Sequence, residues 1–239
     1  MIEMLGLPAA SSFACDIDMV FSVIFWIVLF WFLLAEGVFF YLILRFRKKD
    51  GVKAQYITGE LKSEKRWITI PHNLILVFDV IIVIAAVKVW YTVKQDLPDA
   101  PDKQIVRVIG QQWAWTFVHP GPDGQLDTPD DIAKVNELHV QVDRLHHFQL
   151  ESKDVLHSFS VPVFRLKQDV IPGRVITGWF TPTKTGEYDI QCTEICGVGH
   201  ALMPARIFIE TADQHAAWVA RHSRVAVASE TTQRAAEEE

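Results

Sequence analysis

Two long apolar runs near the N-terminus constrain this chain more than any other feature of its sequence. Residues 20–44 read VFSVIFWIVLFWFLLAEGVFFYLIL, with Glu36 as the only charge, and residues 67–87 read WITIPHNLILVFDVIIVIAAV, with Asp79 as the only charge. A helix crosses a bilayer with about 20 apolar residues, and a buried helix of a soluble protein is rarely so long with so few charges. The sequence therefore predicts a transmembrane helical hairpin at 20–94, with helices at about 20–44 and 67–93.

The charges that flank the two runs predict their orientation. Residues 45–66 contain eight Lys or Arg and three acidic residues, whereas residues 1–19 contain no Lys or Arg. Basic loops stay on the cytoplasmic side of a membrane. We therefore predict a cytoplasmic connector, an external N-terminal segment at 1–19 and an exported domain after about Lys94.

The sequence changes character after a polar, proline-containing linker at 95–103. Short alternating runs separated by turn-rich pieces predict eight strands: QIVRVIG, QWAWTFVH, NELHVQVD, HHFQLES, VLHSFSV, RVITGWF, EYDIQC and ARIFIE. They indicate an all-β antiparallel sandwich at 104–210, followed by a C-terminal helix and a polar tail at 211–239. The net charge of −6 argues against a nucleic-acid partner.

The stretch CTEICGVGHALMP, at 192–204, places two of the chain's three cysteines close to a histidine and a methionine. A disulfide between Cys192 and Cys196 would close a very small loop and would leave His200 and Met203 unexplained. A structural zinc site has no use for the thioether of Met203. Thiolate and thioether sulfurs favour copper, and imidazole suits it as well.

The second cysteine distinguishes this loop from a mononuclear blue-copper site, which uses one Cys, two His and a weak Met. Two thiolates can bridge two copper ions, so that an added electron is shared and bond lengths change little. A second histidine must come from elsewhere in the chain. His157, in DVLHSFSVP, is the best candidate of the nine histidines, and we expect it at the end of a strand.

DVLHSFSVP, DVIPGR and CTEICGVGHALMP together resemble subunit II of the haem–copper cytochrome c oxidases, and the likeness extends over the hairpin and the stretch QQWAW. The resemblance implies a cupredoxin-like Greek-key fold for the sandwich and a binuclear copper centre, CuA. It implies that electrons pass from cytochrome c to haem a of subunit I, where oxygen is reduced to water and protons are pumped. Subunits I and III are the implied partners, and this chain alone would not reduce oxygen.

The resemblance also implies roles for single residues. The copper ligands would be the side chains of His157, Cys192, Cys196, His200 and Met203 and the backbone carbonyl of Glu194. The side chain of Glu194 would reach a magnesium or manganese ion at the interface with subunit I.

Two further positions match family residues outside the copper loop. Trp113 matches the exposed tryptophan at which electrons from cytochrome c arrive, while we expect Trp115, on the same face of the same predicted strand, in the core. Glu64 matches a glutamate at the mouth of a proton channel in subunit I, but an ordinary interfacial charge explains Glu64 equally well.

The sequence departs from better-known family members around Trp113. Ala114 stands where tyrosine is frequent, and Val118 and Lys153 stand where acidic residues are frequent. The acidic residues of PDGQLDTPDD, at 122–131, could compensate, so the donor could be a soluble or a membrane-tethered cytochrome c. These departures and the acidic tail favour a bacterial inner membrane over a mitochondrial one.

Two alternative functions are compatible with parts of the sequence. A quinol-oxidase type of subunit II shares the architecture but lacks the copper ligands, all of which are present here. A membrane-anchored copper carrier or assembly protein would need exchangeable ligands but not the Trp113 strand or DVIPGR.

Overall fold

The computed structural model describes residues 6–53 and 56–223. These residues divide into two compact units, a helical one of Asp16–Thr92 and a β unit that joins the residues before Asp16 to those from Val93 onward. The predicted polar tail beyond residue 223 lies outside the described residues.

The helical unit consists of two long helices. Helix α1 spans Ala14–Phe46 and helix α2 spans Lys62–Trp90, followed by a π-helical turn at Tyr91–Gln95. At 33 residues, α1 is about 50 Å long, more than the roughly 30 Å of bilayer hydrocarbon. The apolar surface of both helices is almost entirely exposed within the chain, as expected for helices that lipid or other subunits cover.

The described part of the β unit contains ten strands in two five-stranded sheets, ordered β3-β2-β1-β5-β8 and β4-β10-β9-β6-β7. Their bounds are β1 Gln104–Gln111, β2 Ala114–His119, β3 Ile132–Val135, β4 Glu137–Gln141, β5 His146–Ser152, β6 His157–Val161, β7 Leu166–Val170, β8 Ile176–Phe180, β9 Gly186–Cys192 and β10 Pro204–Glu210. The sequence missed two short strands, β3 and β7. The sandwich itself is as predicted, but its pairing is not antiparallel throughout, because β1 pairs with β5 and β4 with β10 in parallel.

Aromatic side chains hold the two sheets together. Phe159, from β6 of the second sheet, lies with its ring centroid 5.7 Å from Trp115, 6.3 Å from Phe117 and 6.0 Å from Phe148, all in the first sheet. Trp115 is fully buried, which confirms its predicted place in the core. This cluster fixes the sheets that carry the site described below.

Two local predictions about strand position are wrong. Gln111 pairs with Ala114, so Gln112 and Trp113 form the turn of the β1–β2 hairpin, and Trp113 does not share a strand face with Trp115. Trp113 is 37% exposed as a result. His157 begins strand β6 and does not end a strand.

The segment before α1 packs onto the sandwich. The N–H of Ala10 donates to the carbonyl of Val163 at 2.8 Å, the N–H of Thr183 donates to the carbonyl of Ala10 at 2.9 Å, and the ring of Phe13 lies 5.2 Å from that of Trp179. The described residues before α1 therefore belong to the exported unit.

The chain continues after β10 into a helix over residues 212–223. Trp218 of this helix is 5% exposed, and its ring stacks on that of His139 in β4 at 4.2 Å. The helix thereby covers part of β4, which is an edge strand of the second sheet.

Candidate metal centre

The loop between β9 and β10 forms one end of the sandwich, and we call residues 192–203 the copper loop. Cys192 is the last residue of β9 and Met203 immediately precedes β10, whose Pro204 pairs with Gln191. Because β9 and β10 are antiparallel neighbours, both ends of the loop are held side by side. His157 reaches the same place because β6 is the other neighbour of β9, with Phe159 opposite Cys192.

Two thiols and two imidazoles form the centre of the site. The Sγ atoms of Cys192 and Cys196 lie 3.8 Å apart. Nδ1 of His157 lies 3.9 Å from Sγ of Cys192, and Nδ1 of His200 lies 3.6 Å from Sγ of Cys196. Each thiol therefore has an imidazole of its own.

Two weaker donors complete the set. Sδ of Met203 lies 3.9 Å from Sγ of Cys196, and the backbone carbonyl of Glu194 lies 3.4 Å from Sγ of Cys192. The structure thus brings together the six predicted donors, five from the copper loop and one from His157. The side chain of Glu194 is half-buried.

The spacing of the thiols fits shared metal ions. A disulfide bond is about 2.05 Å long, so a separation of 3.8 Å leaves Cys192 and Cys196 unbonded. Two metal–sulfur bonds of about 2.3 Å each can span this separation. The ligand atoms of His157, Cys192 and Cys196 all lie within 4.8 Å of one another, and the sulfur-rich donor set with imidazole is of the type that copper prefers.

The thiol of Cys196 holds its proton firmly in the absence of a metal. Burial, together with the neighbouring Cys192 thiol, raises the pKa of Cys196 to about 11. Metal binding must therefore displace a proton that bulk solvent at neutral pH would not remove.

Asp154 orients the imidazole of His157. Its Oδ1 lies 2.8 Å from Nε2 of His157, and its Oδ2 accepts the backbone N–H of Gln112 at 2.6 Å. Burial alone would raise the pKa of the Asp154 carboxyl, but hydrogen bonds from Gln112 and His157 hold it below its usual value. With Nε2 occupied in this way, Nδ1 of His157 is turned toward the thiols, an arrangement typical of metal-binding histidines.

Trp113 lies directly against the copper loop. Its indole N–H donates to the carbonyl of Cys196 at 3.2 Å, and the side-chain amide of Gln112 donates to the same carbonyl at 2.8 Å. The loop can approach this closely because Gly197 and Gly199 face the indole, and a methyl group at Gly199 would overlap it. Because Trp113 lies in the β1–β2 turn and not in strand β2, its side chain reaches the copper loop.

Glu64 belongs to the helical unit. It sits in the first turn of α2, and its carboxylate accepts the backbone N–H of Gly59 at 2.8 Å. This contact stabilises the turn that leads into the helix. Sequence reasoning missed Gln112 and Asp154 as supporting residues, and the only signal for Asp154 was its position three residues before His157.

Comparison with known proteins agrees with this geometry. The family model for the periplasmic domain of cytochrome c oxidase subunit II matches residues 104–211. An alternative cytochrome c oxidase subunit 2 of Bradyrhizobium diazoefficiens is 32% identical over 226 residues, which cover 85% of this chain and 79% of that protein. The chain belongs to the cytochrome c oxidase subunit II family.

A further relative is similar over most of its length. The cytochrome c oxidase subunit 2 of Synechocystis is 28% identical over 261 residues, covering 90% of this chain and 75% of that protein. Among solved structures, the periplasmic domain of subunit II (CoxB) of Bradyrhizobium japonicum is 29% identical in sequence. The superposition covers 54% of this chain and 98% of that domain, with a TM-score of 0.48.

Membership in the family has direct consequences. The chain is one subunit of a haem–copper oxidase, an oxidoreductase of respiratory electron transport, and its partners are the other oxidase subunits. Its two apolar helices anchor it in a membrane, and its cupredoxin-like sandwich lies on the outer side.

Proposed function

We propose that this subunit receives electrons from cytochrome c at a binuclear CuA centre and delivers them to haem a of subunit I, where oxygen reduction to water is coupled to proton pumping. The observation that carries the proposal is the doubled donor set, in which each of two thiols 3.8 Å apart has its own imidazole. A single tetrahedral metal ion could use both thiols and both imidazoles, but it would leave the thioether of Met203 and the carbonyl of Glu194 without a role.

His157, Cys192, Cys196, His200, Met203 and the carbonyl of Glu194 would hold the two copper ions. Bound in this way, the copper pair would supply a one-electron relay whose charge is shared between two metals. The chain's own contribution is rigidity. Cys192 and Met203 are fixed by the ends of two paired strands, and His157 is fixed by Asp154. The side-chain carboxylate of Glu194, as distinct from its backbone carbonyl, would bind a magnesium or manganese ion at the interface with subunit I.

Trp113 is proposed as the residue through which electrons arrive. It is 37% exposed on one side and donates a hydrogen bond to the backbone of Cys196 on the other. An electron donor that touched the indole would therefore be one side chain and one hydrogen bond away from a proposed copper ligand.

Glu64 is proposed as a residue at the mouth of a proton channel in subunit I. Its position at the start of α2, next to the basic connector, supports this role only by analogy with the family, because its carboxylate also has a local partner in Gly59. A bacterial inner membrane, with subunits I and III as partners, is the proposed location.

The two rival functions are less well supported. A quinol-oxidase type of subunit does not need the copper donors, and this chain carries the whole set. A copper carrier needs ligands that exchange readily, whereas Cys196 and Met203 are 3% and 1% exposed.

The proposal is tested by purifying the full chain in detergent, adding copper and measuring both the copper content and the electron spin resonance spectrum. We expect two copper ions per chain and a seven-line hyperfine pattern from one electron shared by two nuclei. A four-line spectrum or one copper per chain would contradict the proposal. Cys196→Ser should abolish the shared-spin signal, whereas Cys15→Ser, which changes an exposed cysteine outside the site, should preserve it.

A further inference from the structure

The outer surface of the copper loop is apolar. Ile195, Val198 and Leu202 are 82%, 97% and 79% exposed. Val198 lies between Gly197 and Gly199, both of which face the indole of Trp113, so the exposed Val198 and Trp113 are neighbours on the protein surface. Large exposed apolar side chains grouped at a functional loop mark a surface that another molecule covers.

The charged residues of the copper loop and of the turn directly before His157 are few and largely balanced. The carboxylate of Asp154 is engaged by the N–H of Gln112 and by the ring of His157. Lys153, directly before it, is exposed and carries the opposite charge. Glu194, half-buried within the loop, is the one remaining acidic residue of the copper loop.

The acidic segment at 122–131 lies at the other end of the sandwich. Strand β2 leaves the copper end at Ala114 and reaches His119 before this segment begins. Six residues of strand span about 20 Å. Exposed charges at that distance are screened, because the Debye length at physiological ionic strength is about 8 Å.

One carboxylate of that segment, that of Asp127, is also paired with a basic side chain. Asp127 accepts two hydrogen bonds from the guanidinium of Arg107, both at 2.8 Å. Arg107 lies four positions before Gln111, the last residue of β1 at the copper end. The acidic residues that could have compensated for Val118 and Lys153 therefore do not contribute charge next to Trp113.

From this distribution we infer that the electron donor contacts Val198 and Trp113 through an uncharged, apolar face around its redox cofactor, and not through a ring of lysines. The inference rests on the proposed function, since it describes the partner of the same site. Burial of apolar surface supplies the binding free energy of such a contact and is insensitive to salt, whereas contacts between opposite charges weaken as salt screens them.

The test uses the assembled oxidase in detergent and two probe donors, a lysine-rich mitochondrial cytochrome c and a small bacterial cytochrome c whose haem edge has no charged side chains. The second-order rate of reduction is measured from about 0.01 to about 0.15 M ionic strength, where the Debye length falls from about 30 to about 8 Å. We expect the uncharged probe to react faster at physiological salt, with a rate that changes less than about twofold over the series. A faster lysine-rich probe whose rate falls about tenfold or more would overturn the inference.

Paired substitutions at Val198 separate apolar from electrostatic contact. Val198→Asp and Val198→Lys should both slow reduction by the uncharged probe, by about fivefold or more, because either charge must be desolvated in the complex. Val52→Asp, at a 71% exposed valine of the connector between the two helices, is the matched control and should leave the rate unchanged. Opposite effects of the two Val198 substitutions, with Asp accelerating the lysine-rich probe, would also overturn the inference.

Trp113→Ala separates this inference from the function on which it rests. If Trp113→Ala slows reduction by both probes while salt dependence is steep, the proposed function stands and the apolar contact is wrong. If Trp113→Ala leaves both rates unchanged, the proposed arrival of electrons at Trp113 is itself wrong. The shared-spin signal of each variant verifies that the copper loop has folded.

Discussion

The indole nitrogen of Trp113 lies 3.2 Å from the backbone carbonyl oxygen of Cys196, which joins the exposed tryptophan to the buried thiol residue by one hydrogen bond. Gln112 donates to the same carbonyl at 2.8 Å. The hairpin turn of the first sheet is thus attached to a loop of the second. A substitution in the turn therefore removes a hydrogen bond to the backbone of Cys196, one of the proposed copper ligands.

Substitutions of Trp113 should distinguish the indole ring from its hydrogen bond. Trp113→Phe keeps an aromatic surface and removes the N–H, whereas Trp113→Ala removes both. We expect Trp113→Ala to slow reduction by cytochrome c by at least about tenfold, equivalent to ~1.4 kcal/mol of barrier, and Trp113→Phe to have an intermediate effect. Stopped-flow absorbance gives the rates, and copper content should stay constant in both variants. Equal rates for all three proteins would contradict the role of Trp113.

Asp154 should affect the metal through His157 without binding it. Asp154→Ala removes the acceptor 2.8 Å from Nε2 of His157, so the ring loses the contact that turns Nδ1 toward the thiols. Loss of such a supporting carboxylate costs about 10–100-fold in metal affinity. We expect Asp154→Ala to lose copper to a chelator at correspondingly lower concentration, and Asp154→Asn, which keeps an acceptor oxygen, to lie between it and the wild type. Identical chelator curves would show that His157 is held by packing alone.

The features that the sequence predicted well are those with a local signal. The two apolar runs are continuous in sequence, and the spacing of Cys192, Cys196, His200 and Met203 lies within one loop, so neither depends on knowing which strands are neighbours. Trp115 was predictable as core because alternation along β2 is regular. The assignment of His157 needed the resemblance to a family as well.

The features that the sequence missed depend on contacts between distant segments. Trp113 was predicted on a strand because QWAWTFVH alternates, but pairing of Gln111 with Ala114 converts its first two residues into a turn. Strands β3 and β7 are only four and five residues long and gain order from their neighbours. Parallel pairing of β1 with β5 joins segments far apart in the chain, which no local pattern encodes.

Oxidation of the thiol pair should block the site. Sγ of Cys192 and Sγ of Cys196 are 3.8 Å apart, so a small movement permits a bond of about 2.05 Å. Diamide would take two electrons and two protons from the thiols as the disulfide forms. We expect the metal-free chain treated with diamide to bind no copper, and dithiothreitol to restore binding. A Cys15→Ser variant, in which the thiol pair is all that remains, is the control for oxidation at Cys15 and should lose copper binding in the same way. Full copper binding by the wild type after diamide treatment would show that the loop resists closure.

Acid should destabilise the sandwich through its buried histidines. Desolvation lowers the pKa of His139 from 6.5 to about 4 and that of His146 from 6.5 to about 3, and it holds the pKa of the fully buried His119 well below its ordinary value. A histidine whose pKa is lowered by folding stabilises the folded state fully above about pH 6.5 and loses that contribution as the pH falls, because only the unfolded chain then binds the proton.

The thermal midpoint of the chain in detergent should therefore fall between about pH 6.5 and about pH 4, more steeply than exposed histidines would allow. The ring of His139 stacks on Trp218 at 4.2 Å, so His139→Phe keeps the stacking and removes the titrating group. We expect this variant to lose less of its thermal midpoint over the same pH range, even if the loss of the 3.0 Å contact with Glu210 lowers its midpoint at neutral pH. A variant curve parallel to that of the wild type would mean that His139 takes up no proton on unfolding in this range, and the acid sensitivity would then have to come from other groups.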